Sequence, residues 1–122
     1  MSYAEVELDI VRWSEARRII PRSNPLAQSK KTLEEAGELL VAAAKLKQLD
    51  ELRPHLKEDI YLSARSYIMD ELRDGIGDVG VTLINVCALA DVDFVSCLEG
   101  AYQEIKDRRG ELREDGVFVK EA

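Results

Sequence analysis

Two stretches of this chain begin as acidic helix faces and continue as helix without a single charge, and a helix of that kind needs neighbours on every side. The first is Lys31-x3-Glu35-x2-Glu38, followed by the uncharged run Leu39 to Ala44. The second is Glu71-x2-Asp74-x3-Asp78, followed by the uncharged run Val79 to Ala90. Spacings of three and four residues place each acidic set on one face of its helix. If the two faces meet, about five carboxylates gather round one point. A pair of them ~4 Å apart repels by roughly 4 kcal/mol at an effective dielectric near 20. A divalent cation removes that repulsion, and carboxylate oxygens are the ligands of a hard ion such as Mg2+. The plain alternative is a pair of solvated faces, because like charges one turn apart on an exposed helix cost only about 0.2–0.5 kcal/mol. Two acidic sets that both lead into uncharged helix favour the metal site.

Length and composition set the frame. At 122 residues the chain is read as one domain with a real core. An apolar content of 46% with 34% charged residues fits a globular protein rather than a disordered one. The net charge of −7 argues against nucleic acid and anionic membrane as partners. An anionic substrate then approaches only where a metal or local Lys and Arg reverse the field. The opening MSYAEVELDI has no signal-peptide core, and the run from Val79 to Ala90 is too short to span a bilayer. Cys87 and Cys97 form no metal or redox spacing and are expected to be reduced, as in cytosol. The lone His55 stands beside Pro54 in an expected loop.

Only three prolines interrupt a sequence rich in Ala, Leu, Glu and Arg, so the expected fold is all-α. A first amphipathic helix over 3–19 carries Val6, Ile10, Trp13 and the Arg17 stem on one side. Asn24 is a good N-cap with Pro25 at the first helical position, and this second helix is expected to run to about Gln48. A polar connection from Leu49 to about Glu58 follows. The third helix begins within 58–68 and ends near Ala90, with Leu72, Ile76, Val79, Leu83, Val86 and Ala90 as its expected core stripe. Asp93 caps a fourth, from Phe94 to Arg109, which Gly110 stops. Asp115-Gly116 marks a turn before the apolar triplet Val117-Phe118-Val119, expected to dock on the body or a partner. Four helices of one chain cannot enclose the run from Val79 to Ala90 on all sides, so a homodimer or larger assembly is expected.

Other side chains join the candidate site. Lys31 stands one turn before Glu35 and either pairs with it or reaches a phosphate. Gln28, a turn earlier, suits a base or sugar, and Asn85 lies on the Asp74–Asp78 side of the third helix. Trp13 is a core residue or a stacking platform. Lys106, Arg108 and Arg109 suit a helix C-terminus through the helix dipole or bind phosphate. Gly75, Gly77 and Gly80 fit no nucleotide-binding loop, since no strand precedes them; close helix packing or close metal approach explains them better.

At these residues the chain resembles the MazG-like, all-α nucleoside triphosphate pyrophosphohydrolases, in particular the short single-domain forms of phages. That family carries E-x-x-E on one helix and E-x-x-D on the next. Lys31-Thr-Leu-Glu-Glu-Ala-Gly-Glu38-Leu supplies the first through Glu35 and Glu38. Asp74-Gly-Ile-Gly-Asp78-Val supplies the second, with Asp78 as its aspartate. Trp13, Arg17, Ser23-Asn-Pro25 and Gln28 are similar to the family's N-terminal segment. The stretches from Ala101 to Gly110 and from Asp115 to Lys120 match its end. The resemblance covers most of the chain except about 49–68, which reads as an insertion. Gly75 stands where the second motif's glutamate is expected, so Asp74 takes that place or Glu71 does, and Gln103 replaces the usual asparagine.

The resemblance implies a fold and a chemistry. The fold is an antiparallel four-helix bundle, oligomeric, with the second and third helices side by side. The reaction is Mg2+-dependent (or Mn2+-dependent) cleavage of a (deoxy)nucleoside triphosphate between the α- and β-phosphates, giving monophosphate and pyrophosphate. Glu35, Glu38, Asp74 and Asp78 would hold the metal, with Glu35, Glu38 and Asp78 as the catalytic set. Lys31, Lys106 and Arg109 would hold phosphates, and Trp13, Gln28 and Asn85 would line the base or sugar pocket. The setting implied is the cytoplasm of a bacterium or phage-infected host. A non-catalytic helical module that regulates a partner is the alternative.

Overall fold

Residues Met1–Ala122 are described by a computed structural model. Five helices are followed by a small hairpin: α1 (Tyr3–Ala16), α2 (Ile19–Arg22), α3 (Pro25–Leu52), α4 (Glu58–Ala90), α5 (Phe94–Ile105), β1 (Gly110–Leu112) and β2 (Phe118–Lys120). The chain divides into two compact units, Met1–Asp91 and Val92–Ala122. No single helix is long and apolar enough to cross a membrane.

The first unit is built on the antiparallel pair α3 and α4. Ladder contacts fix its direction: Thr32 Oγ1 donates to Thr82 Oγ1 at 2.8 Å, Lys45 pairs with Glu71 at 3.1 Å, and Tyr61 Oη donates to Asp50 Oδ1 at 2.6 Å. As the α3 number rises the α4 number falls. A seven-residue rhythm underlies the seam. On α3 the covered side chains include Gln28, Thr32, Glu35, Leu39, Ala42, Leu46 and Leu49; on α4 they include Tyr61, Ala64, Ile68, Glu71, Gly75, Thr82 and Asn85. Alternating steps of three and four residues are those of helices packed side by side with a small crossing angle. Near the closed end the seam is apolar, with Ala42, Leu49 and Tyr61 buried. Toward the open end its occupants turn polar: Glu35, Thr32, Gln28, Thr82 and Asn85.

That polar half corrects one expectation. The stripe of Leu72, Ile76, Val79, Leu83, Val86 and Ala90 is not the buried face: Ile76 and Ala90 are exposed and the other four are half-covered. The face turned to α3 is the one holding Gly75, Thr82 and Asn85. Nor is the run from Val79 to Ala90 enclosed on every side within this chain; Thr82, Ile84 and Asn85 are its buried members. On α3, Leu40 and Val41 of the other uncharged run are exposed as well.

Gly75 explains how closely the two helices approach. A Cβ there would lie 3.2 Å from the Leu39 Cα, whereas at Gly77 and Gly80 it would meet nothing within 4 Å. Close helix packing therefore accounts for Gly75 and not for the other two. Any side chain at position 75 would start against the Leu39 backbone.

Helix boundaries follow local chemistry. Ser2 caps α1 through a capping box with Glu5. The helix ends at Ala16, short of the expected 19, because Arg17 folds back over the Trp13 ring (4.2 Å) and onto the Trp13 carbonyl, while Arg18 turns left-handed at φ 62°. Asn24 caps α3 by accepting from Ala27 N at 2.8 Å, with Pro25 in the first turn as expected. α3 runs to Leu52 and α4 begins at Glu58, so the expected connection shrinks to a 3-10 turn, Arg53–His55, and two further residues. Buried Leu49 and the Tyr61–Asp50 hydrogen bond carry helical packing to the bend. Residues 49–68 thus prolong the α3–α4 hairpin and form no separate element. α1 lies against α4, where fully buried Ser14 donates to Asn85.

The second unit holds α5 and the hairpin. Asp93 caps α5 by accepting from Ser96 N at 2.9 Å. α5 stops at Ile105, four residues before the expected end, and Gly110 opens β1 instead of ending the helix. Its missing side chain lets β2 pass, since a Cβ would sit 2.1 Å from the Val119 carbonyl oxygen. β1 and β2 pair antiparallel, Glu111 opposite Val119. The turn is the expected Asp115-Gly116, with Gly116 at φ 87° and Asp115 held by Arg113 at 2.7 Å.

Candidate metal centre and cavity

Glu35 and Glu38 lie one turn apart on α3, and Asp78 comes from the facing turn of α4. Each of the three offers a carboxylate oxygen within 4.8 Å of the others. Glu35 is a seam residue and the most covered of them; its Oε1 pairs with Lys31 Nζ at 3.2 Å, and its Oε2 is buried with no hydrogen-bond partner. A buried, unpartnered carboxylate oxygen is costly unless a cation or a proton serves it. The neighbouring acid registers the strain. Glu35's charge, and hydrogen bonding with Glu35, hold the Glu38 carboxyl above the ordinary glutamate range. A proton on Glu38 would give the orphaned oxygen its donor, and a cation would serve both acids at once. The donor set is all oxygen, and it fits a hard divalent ion such as Mg2+.

Asp74 stands outside this triplet. It lines a neighbouring cavity of 360 Å3 together with Glu38, Val41, Ala42, Glu71, Gly75 and Asp78, within which Glu71 is paired to Lys45 at 3.1 Å. Asp74 carries no such ion pair, which leaves it, rather than Glu71, the acid available to extend the triplet.

On the other side of Glu35 and Asp78 opens a cavity of 460 Å3. Trp13, Gln28, Lys31 and Asn85 all line it, joined by Ile19, Ala27, Val81 and Thr82. Trp13 is 46% exposed and so is no core residue; its ring borders this cavity and a third one shared with Asp9, Ile10 and Val81. Lys31 reaches both Glu34 and Glu35, and the Glu35 contact is the first cause of the rise in its ammonium pKa. Lys106 and Arg109 belong to the second unit, where both are exposed.

Sequence reading missed Ser14 and Thr82. Thr82 could have been found from the seven-residue step Ile68, Gly75, Thr82; Ser14, a buried serine beside a tryptophan on an amphipathic helix, offers no signal of its own. Comparison with protein-family models, curated proteins and solved structures finds no match.

Proposed function

We propose that the chain is a Mg2+-dependent hydrolase of (deoxy)nucleoside triphosphates that cuts between the α- and β-phosphates to release monophosphate and pyrophosphate. The observation that carries this is the triplet Glu35, Glu38 and Asp78 with its orphaned Glu35 oxygen, opening directly into a cavity of nucleoside size. The three carboxylates, with Asp74 beside them, would hold the ion. Bound there, Mg2+ supplies neutralisation of the triphosphate and a water of lowered pKa. Lys31 meets the phosphates at the boundary between acids and cavity. Trp13 covers the base while Gln28 and Asn85 meet its edge. Glu38 or a neighbouring acid, through an oxygen the ion does not use, takes the proton from the attacking water.

The working form we propose is a homodimer or homotetramer in which helices of two copies complete a four-helix bundle. Leu26, Leu33 and Leu40 repeat every seven residues along α3 and are 67%, 76% and 70% exposed. Such a stripe suits a second helical surface. The same stripe is what favours the other reading, a non-catalytic module that binds a partner.

Activity decides between them. The purified protein, given Mg2+ and a panel of nucleoside triphosphates, should yield pyrophosphate and monophosphate. Asp78→Ala should lower turnover by at least about a hundredfold at unchanged helicity, the scale expected when electrostatic stabilisation of a transition state is lost. No turnover on any nucleotide by folded protein would leave the binding module as the better reading.

A further inference from the structure

The acidic end is not the only organised part of the 460 Å3 cavity. At its far end four side chains form one hydrogen-bonded relay that ties α1, α4, α3 and the end of α2 together. Ser14 Oγ donates to Asn85 Oδ1 at 2.6 Å, Asn85 Nδ2 donates to Gln28 Oε1 at 3.4 Å, and Gln28 Nε2 donates to Ser23 Oγ at 3.1 Å. Asn85 is only 3% exposed, and both amides line the cavity.

The relay has hydroxyls at both ends, and a hydroxyl donates or accepts equally well. Turning both amides over by half a revolution about their terminal bonds runs it backwards. Asn85 then donates to Ser14, Gln28 donates to Asn85, and Ser23 donates to Gln28. Three hydrogen bonds exist in either direction, so neither leaves a buried amide without a partner. The terminal torsion of an amide side chain is broad and two-fold, which permits the turn. Each amide also keeps one N–H and one oxygen lone pair outside the relay. Reversal exchanges their places, so a donor facing the cavity becomes an acceptor.

We propose that this relay is a reversible reader of the base edge: the site accepts bases carrying either an amino or an oxo group at the same ring position and discriminates little between them. This rests on the triphosphate reading above. Gln28 precedes Glu35, and Asn85 follows Asp78, by two helical turns, about 10 Å. That matches the reach from the first phosphate to the far edge of a nucleoside. The half-exposed Trp13 ring, with Ile19 and Val81, gives apolar cover to either kind of ring. A site with a fixed donor or acceptor rejects the mismatched analogue strongly, because the mismatch leaves buried polar groups unpaired. A relay free to reverse removes the mismatch. A carboxylate within it would end that freedom, since an ionised carboxylate only accepts.

The test is calorimetric binding of deoxycytidine and deoxyuridine triphosphate analogues with an α,β-imido bridge, in Mg2+, to the full chain and to Gln28→Glu and Gln28→Met. These two bases differ in the amino or oxo group at one ring position and in the ring nitrogen beside it, an acceptor in cytosine and an N–H donor in uracil. The wild-type protein should bind them within about threefold of each other, well below the discrimination of a fixed polar site. Gln28→Glu should shift the ratio roughly tenfold or more toward the cytosine analogue, its added charge acting on both ligands alike. Gln28→Met, which neither donates nor accepts, should weaken both while leaving the ratio near unity. A wild-type preference above about thirtyfold, or a ratio unmoved in Gln28→Glu, overturns the relay and leaves the triphosphate reading standing. Failure of the folded wild-type protein to bind either analogue overturns both.

Discussion

At the scale of single residues, the site is a set of acids kept together by incomplete compensation. Lys31 serves one oxygen of Glu35, and the other has no donor. The acid beside it responds, so pH enters directly. Glu38 holds its proton more tightly in the folded chain than in the unfolded one. Its contribution to stability is therefore full below the ordinary glutamate range and lost as pH rises through the elevated folded value. Binding of the proposed ion would run the other way, since it would need the ionised acids and would displace that proton. Thermal melting of the metal-free protein from roughly pH 4 to 8 should show this share of stability fading as pH rises, and Glu38→Gln should remove it. Mg2+ should raise the melting temperature of the wild type, and the same variant should melt no lower than wild type at neutral pH without metal, yet lose most of that upward shift. An unchanged Mg2+ shift in Glu38→Gln would take Glu38 out of the ligand set.

At the scale of elements, the α3–α4 seam determines which side chains can meet. Much of it was readable beforehand. The Asn24–Pro25 start of α3, the Asp93 cap, the end of α4 and the Asp115-Gly116 turn all rest on local rules that tertiary context did not override. So does the placing of Glu35, Glu38 and Asp78 on facing helix sides. The register of α4 was not legible, because a segment apolar almost all round has no amphipathic contrast to select a face. The seam itself was hidden by its occupants: Gln28, Glu35, Thr82 and Asn85 read as surface residues although they hold core positions. The short strands were hidden too, since three residues carry too little alternation to stand out beside a helix. Glycine provides the test at this scale. Gly75→Ala should destabilise the protein, because its methyl group meets the Leu39 backbone at a tight 3.2 Å. Gly77→Ala, in open helix, should stabilise by about 0.5–1 kcal/mol, read by chemical denaturation. A loss at Gly77 instead would mean that a second copy packs on that side of α4.

At the scale of the molecule, little apolar surface is fully hidden. Ala42, Leu49, Tyr61 and Ile84 are the buried apolar residues, while Leu26, Leu33 and Leu40 line one side of α3 in the open. Burying a leucine is worth roughly 1.5–3 kcal/mol, so three such residues per copy make a strong driving force for self-association. Sedimentation equilibrium should find the wild-type chain as a dimer or tetramer. Leu33→Glu should shift it toward monomer and lower its melting temperature at a given concentration. A wild-type chain that stays monomeric at high concentration would show that this stripe faces something other than another copy.

For the proposed activity, the arrangement of the seam would set catalysis against durability. The positions that would make α3 and α4 grip each other best at their open end are the ones occupied by a glutamate, two amides and two threonines. Selection for a sturdier hairpin would replace them with leucine and valine and close the cavity in the process. A chain of this design would keep the proposed chemistry only by leaving half of its longest contact weak, and the proposed assembly would have to make up the difference from outside.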